Sequence, residues 1–235
     1  MNLHTDNCND GGYSAAQVGL RAVYEEAAAL KELAESMAFN YFTSAISAVR
    51  EAQSDGGRVH VTGMGKSSHV GRKLASTLSS TGTPAVFLDP VAAQHGDSGQ
   101  VQPGDLVIAV SHSGRTREVL GCVRLLKENG ASILSMVGDA QSPLALESEV
   151  VLHVPVSREA CPLRLAPTSS TTCQLVVGDG LAAALMAARE FTSDEFFSYH
   201  PEGALGQRAA DGTQRIIEIN GTSVLKANGT SGGIL

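Results

Sequence analysis

Tryptophan is absent from the 235 residues, and all aromatics together make up only 4% of the chain. Glycine, at 25 residues, and alanine are plentiful instead. This balance points to an α/β fold in which small residues let helices lie close on a sheet. Basic side chains are in the minority, 17 against 24 acidic, for a net charge of −7. That excludes a phosphate-backbone partner such as nucleic acid, although local basic residues can still hold a small anion. Residues 1–13 are too few for a helix-turn-helix. The four cysteines (Cys8, Cys122, Cys161, Cys173) are scattered with no CxxC spacing. They read as reduced thiols of a cytoplasmic protein. No run approaches the ~18 uninterrupted apolar residues of a membrane span. The start of the chain, with His4, Asp6 and Asp10, does not read as a signal peptide. The sequons at Asn220 and Asn228 therefore read as plain turns.

Hydrophobic residues at 43% exclude disorder, and the length suits one generous domain or two small ones. Residues 1–13 are polar and form a loose N-terminus. From 14 to 52 there is no proline, and Val23, Ala27, Leu30, Ala34, Met37 and Tyr41 recur in steps of four and three. This is a long amphipathic helix, broken at most once. Its stripe exceeds what one small sheet covers, so part of it is expected to pack on another subunit; a wholly intrachain helix is the alternative. Strands are then expected at 58–64, 85–89, 106–111, 131–137 and 150–156. Helices are expected at 67–81, 116–129, 168–191 and 193–199, with a helical turn at 143–148. Five strands alternating with helices predict a doubly wound, flavodoxin-like parallel sheet with its ligand at the C-terminal strand edge. From 209 onward the chain turns rich in Gly, Asn, Thr and Ser, a tail with one apolar stretch at 216–219.

The chemistry gathers where strands give way to helices. The first strand ends in Gly63-Met-Gly65-Lys66-Ser67-Ser68. A Walker A loop would need glycine at 60, where His60 stands, and a Rossmann fingerprint would need it at 68, where Ser68 stands. ATP and NAD are thus disfavoured. What remains is a tight turn offering backbone N–H groups, two hydroxyls and a lysine at a helix start, which suits an anion; a glycine turn without ligand is the alternative. The third strand ends in Ser111-His-Ser113-Gly114-Arg115-Thr116, where Ser111, Ser113 and Thr116 suit a small oxyanion, or else simple capping. Thr168–Thr172 is a third hydroxyl cluster, read equally as cap or ligand contact. Ionisable residues stand beside these loops at His95-Gly-Asp97, at Glu159 and at His200.

In chain order, the motifs are GMGKSxHxGRKxAxTxxSTGTPA, HGD, SxSGxTxE, EACPLxLAPTSSTT and HPxGALG. Over about residues 20–208 they resemble the sugar isomerase (SIS) domain of D-arabinose 5-phosphate isomerases. The resemblance implies an aldose–ketose isomerase acting on D-ribulose 5-phosphate and D-arabinose 5-phosphate. Lys66, Glu118, Glu159 and His200 would be its catalytic side chains. His95, Gly82 and Thr83 would border the substrate together with Gly65, Ser67, Ser68, Asp89, Ser111, Ser113 and Thr116. Family members resemble dimers of dimers, implying a homotetramer, and His200 is placed to complete a neighbour's site. The reaction is internally balanced, so no cofactor is expected. No metal is required, but Asp89, His95 and His200 together would capture an inhibitory zinc. Glu159, buried against apolar residues, is expected to have a raised pKa and to act as the base. His200 or His95 would carry the other proton, and the two roles can be exchanged. Arg115 stands where the family commonly has Glu, and would add a phosphate ligand or shift sugar preference. About 29 residues follow Gly206 (235 less 206), so the expectation is a short form without the pair of CBS modules. Other SIS isomerases and a non-catalytic sugar-phosphate sensor are the competing readings.

Overall fold

The computed structural model describes residues 14–54 and 56–201, with the backbone alone at 218–219 and 222–223. Residues 1–13, the 202–206 part of HPEGALG and the turns at Asn220 and Asn228 lie outside the described side chains. Two helices open the chain, α1 (Ala15–Ser36) and α2 (Thr43–Ser54). Ser14 starts α1 with a reciprocal capping box to Gln17, and Met37, extended at φ −75°, ends it. The expected long stripe is therefore broken once. The break is fastened to the body by the Tyr41 hydroxyl, which donates to the His153 carbonyl at 2.7 Å. Leu20, Val23 and Tyr24 leave an apolar stretch of α1 exposed.

Five parallel strands follow: β1 (Val59–Gly63), β2 (Ala85–Phe87), β3 (Leu106–Val110), β4 (Ser132–Val137) and β5 (Val150–His153). Their order is β2-β1-β3-β4-β5. β1 and β3 are buried along their whole length, as central strands of a sheet covered on both faces must be; β3 is a continuous apolar run, whereas β1 also buries Thr62 and His60, the latter paired with Asp105 at 2.9 Å. The helices between them are α3 (Lys66–Ser80), α4 (Pro90–Ala93), α5 (Arg117–Glu128), α6 (Pro143–Leu146) and α7 (Ser169–Ala188). Beyond α7 come α8 (Ser193–Tyr199) and a two-stranded antiparallel ribbon, β6 (Glu218–Ile219) with β7 (Thr222–Ser223).

Alternation along the strands splits the core in two. Val59, Val61, Ile108, Val110, Leu134 and Met136 face α1, α2, α3 and α7. Val107, Ala109, Ile133 and Val137 face α4, α5 and α6. Among the described helices, α7 alone is long and apolar enough to cross a membrane. Its buried residues Cys173, Val177, Leu181 and Leu185 belong to the first of these cores.

The strand order fixes where a ligand can sit. From β1 the chain runs outward to β2, then returns past β1 to build β3, so the connections leave in opposite directions and open a crevice between the C-terminal ends of β1 and β3. The loops 63–68 and 111–116 flank that crevice.

Candidate active site

Both loops leave a helix N-terminus open. Gly65, at φ 60°, is the N-cap of α3, and no side chain caps that helix. The positive φ is why glycine stands there, since a Cβ would meet no atom within 4 Å. The Ser68 hydroxyl is turned back onto the Gly65 carbonyl at 2.7 Å, which leaves Ser67 and Lys66 as the outward groups of that turn. Thr116 is the N-cap of α5, again without a side-chain cap bond. Its hydroxyl lies 3.3 Å from that of Ser111. Ser111 also accepts from the Gly114 amide at 3.2 Å, and Ser113 from the Arg115 amide at 3.2 Å. Free N–H groups at a positive helix end beside two hydroxyls are what a phosphate needs. Gly114 is required by shape as well as by its φ of 60°, because a Cβ there would stand 2.0 Å from the Ser142 hydroxyl.

The third cluster, Thr168–Thr172, is already filled. Glu159 places its carboxylate on the N-terminus of α7. Oε2 accepts from the amides of Thr168 (2.7 Å) and Ser170 (3.2 Å) and from the Thr168 hydroxyl (3.1 Å), and Oε1 accepts from the Ser170 hydroxyl. The expectation of a raised pKa is thereby corrected. Burial pushes the Glu159 carboxyl up, but hydrogen bonds from Ser170 and Thr168 outweigh it and hold the group below its usual range. A half-buried carboxylate with this much support is a weak base at neutral pH.

Lys66 opens a groove of about 350 Å³ between α3 and α7, lined by Lys66, His69, Val70, Lys73, Thr171 and Leu175. Thr171 on the groove's wall follows directly on Ser170, one of the donors to Glu159. His69 and Lys73 were not singled out from the sequence, although positions three and seven after Lys66 share one helical face. Glu118 sits in the first turn of α5, and its carbonyl accepts from the Gln94 side chain at 3.2 Å, which brings the exposed His95 turn beside it. Arg115 reaches not into the crevice but to Asp139, at 2.6 Å.

Three expected site residues lie elsewhere in the same chain. The turn carrying Gly82 and Thr83 joins the end of α3 to the start of β2, and so stands at the opposite sheet edge. A Cβ on Gly82 would meet the guanidinium of Arg189, which is the C-cap of α7. His200 is at this same end. Phe191 stacks on Tyr199 at 6.2 Å, and α7 spans about 30 Å from its Glu159-bound end at 1.5 Å per residue. The zinc trio is likewise not assembled. Asp89 spends Oδ1 on the amides of Val91 and Ala92, capping α4, and His200 is remote from it. Among the described residues no group of three or more His, Cys, Asp or Glu side chains is placed to hold a metal.

The SIS domain family matches residues 54–184. The chain is 55% identical over 152 residues to the arabinose 5-phosphate isomerase KdsD of Pseudomonas aeruginosa, covering 65% of this chain and 47% of that protein. It is 45% identical over 179 residues to the KdsD of Francisella tularensis, covering 76% and 54%. It thus spans about half the length of the curated relatives it matches. A protein of Escherichia coli CFT073, determined in complex with arabinose 5-phosphate, superposes with a TM-score of 0.74 at 36% identity, covering 81% of this chain and all of that one.

Proposed function

The chain belongs to the SIS domain family, and from that premise we propose that it is an aldose–ketose isomerase interconverting D-ribulose 5-phosphate and D-arabinose 5-phosphate. The observation that carries the reading is the pair of open helix N-termini at the switch point, one with the Ser111 and Thr116 hydroxyls and one with Lys66. The relatives named arabinose 5-phosphate isomerase and the neighbour holding arabinose 5-phosphate supply the substrate class.

The phosphate rests on the α5 N-terminus, and that remote binding fixes C1 and C2 for reaction. Proton transfer uses His200. Its Nδ1 lies 2.9 Å from the Phe196 carbonyl, and since a carbonyl only accepts, Nδ1 carries the hydrogen, so that in the neutral ring the lone pair is on Nε2. Nε2 takes the proton from C1 of the ketose; the released electron pair forms the C1–C2 double bond of a cis-enediolate as the C2 carbonyl π pair moves onto O2. Lys66 offsets the charge on that oxygen. Return of the proton to C2, with transfer of the hydroxyl proton from O1 to O2, gives the aldose, so atoms and electrons balance without a redox partner.

Because His200 and the Gly82 turn stand at the far sheet edge, the proposal takes both from a second copy, in a homotetramer to which the exposed face of α1 contributes. The described cysteines are all free, in keeping with a cytoplasmic setting. The test is proton NMR of the protein with D-ribulose 5-phosphate in D2O. Arabinose 5-phosphate should appear with deuterium at C2. Tight binding without product or exchange would refute the isomerase and leave a sugar-phosphate sensor.

A further inference from the structure

The segment that carries Glu159 is held by the buried Val154 and Ala160 and by the Glu159 carboxylate on α7, but its tip is not. Residues 154–168 contain no helix or strand, and Leu163 and Leu165 are 77% and 79% exposed, so no apolar side chain anchors its tip. Polar ties do so instead, and they lead to α1, outside the matched residues 54–184. Arg164, at φ 58°, donates its amide to the Cys161 carbonyl at 2.8 Å. Its Nη1 donates to the Glu159 carbonyl at 2.7 Å and also bonds Glu25, while Nη2 reaches the other Glu25 oxygen at 3.2 Å. Glu25, whose side chain is 11% exposed, takes a further bond from Arg21 at 2.8 Å. The two guanidiniums hold its carboxyl down to about 2. Glu26 accepts from the Thr172 hydroxyl at 2.5 Å, and Glu32 from Ser157 at 3.4 Å, so α1 grips both flanks of the turn. A two-pronged guanidinium–carboxylate pair fixes direction as well as distance.

We infer that Arg164, anchored on Glu25, is a positioning residue that fixes the Glu159 peptide so that its carboxylate stays on the α7 N-terminus. Arg164 touches no substrate and acts through Glu159. The catalytic consequence rests on the isomerase reading, but the positional one does not.

The experiment follows amide exchange at Thr168 and Ser170, the two backbone donors to Glu159, together with steady-state turnover of D-ribulose 5-phosphate. Arg164→Ala should speed exchange at both amides by about tenfold and leave Ile108 in β3 unchanged, as for a local opening. It should lower kcat by about tenfold through misplacement while KM stays within about twofold, because the phosphate loop is untouched. Glu25→Gln should act in the same direction, and Arg164→Lys should recover part of kcat by reaching one acceptor. Unchanged exchange at Thr168 and Ser170 overturns the inference; a kcat that holds, or a KM that rises in step with its fall, overturns its catalytic consequence. If Arg164→Ala also loses protection at Ile108, Glu25→Gln decides on the same amides. If the wild type turns over no sugar, the isomerase reading fails and amide exchange alone decides the positioning role.

Discussion

Replacing Glu159 by Gln removes one charge and leaves the shape nearly unchanged. With the amide oxygen in place of Oε2, the bonds from the Thr168 amide and hydroxyl and from the Ser170 amide persist. The new NH2 faces the Ser170 hydroxyl, which can rotate to accept. What is lost is the ionic part of these bonds. Bonds to a charged group are stronger than neutral ones by about 1 kcal/mol, and an anion at a helix N-terminus adds about 0.3–1 kcal/mol. For a half-buried carboxylate partly screened by water, the cost is about 1–2 kcal/mol in total. Glu159→Ala should cost more, about 3 kcal/mol, because it strands the amide of the buried Ser170 and that of Thr168.

The pH dependence follows from the direction of the shift. The folded-state pKa of Glu159 lies below its ordinary value of 4.5. The ionic contribution is therefore fully present above that value and is lost as pH falls through the lower, folded one. The gap between wild type and Glu159→Gln should be widest at neutral pH and narrow on the acid side. With no tryptophan in the chain, urea unfolding is best followed by circular dichroism, at one protein concentration so that subunit association does not move the midpoint. A gap that stays constant or widens as pH falls refutes this account of Glu159, and so does a Gln variant as unstable as the Ala variant.

Other outcomes test the remaining parts of the site. Gly114→Ala drives a Cβ toward the Ser142 hydroxyl in a backbone conformation that alanine resists, and should abolish calorimetric binding of sugar phosphate and lower the melting temperature. Ser111→Ala should raise KM by about tenfold with kcat little changed, the mark of a lost ground-state contact. Lys66→Met should instead lower kcat about a hundredfold with the phosphate still bound, as for loss of one charge-stabilising group. A His200→Asn variant and a Lys66→Met variant, each strongly impaired alone, should regain activity when unfolded together and refolded as hybrids. No regain would exclude a shared site.

Much of the fold is legible because β3 is a continuous apolar run and the longer helices α1, α3, α5 and α7 open on a glycine or a hydroxyl. The loops at 63–68 and 111–116 stand out for the same reason, since capping chemistry is local in sequence. The strands end somewhat early where the chain turns to other work, as after Phe87, where Asp89 leaves the ladder to cap the short α4 that no periodicity announces. The sign of the Glu159 shift was not legible, because its donors come nine and eleven residues later and their hydroxyls read equally as cap or ligand contact. The far-edge position of Gly82 and Thr83 was legible, since a turn from a helix into a parallel strand lies at the strand's N-terminal end, whereas that of His200 depends on the length and direction of α7. The sequence shows the charge of Arg115 but not its diversion to Asp139.

The carboxylate seated on α7 has a consequence for where an anion can settle. Five helices begin at the same edge of the sheet, and the starts of the three long ones, α3, α5 and α7, attract negative charge. By stationing its own anion permanently at one of them, the chain acts as its own competitor there. An anion entering the crevice finds that berth taken, and the open starts of α3 and α5 are left to it.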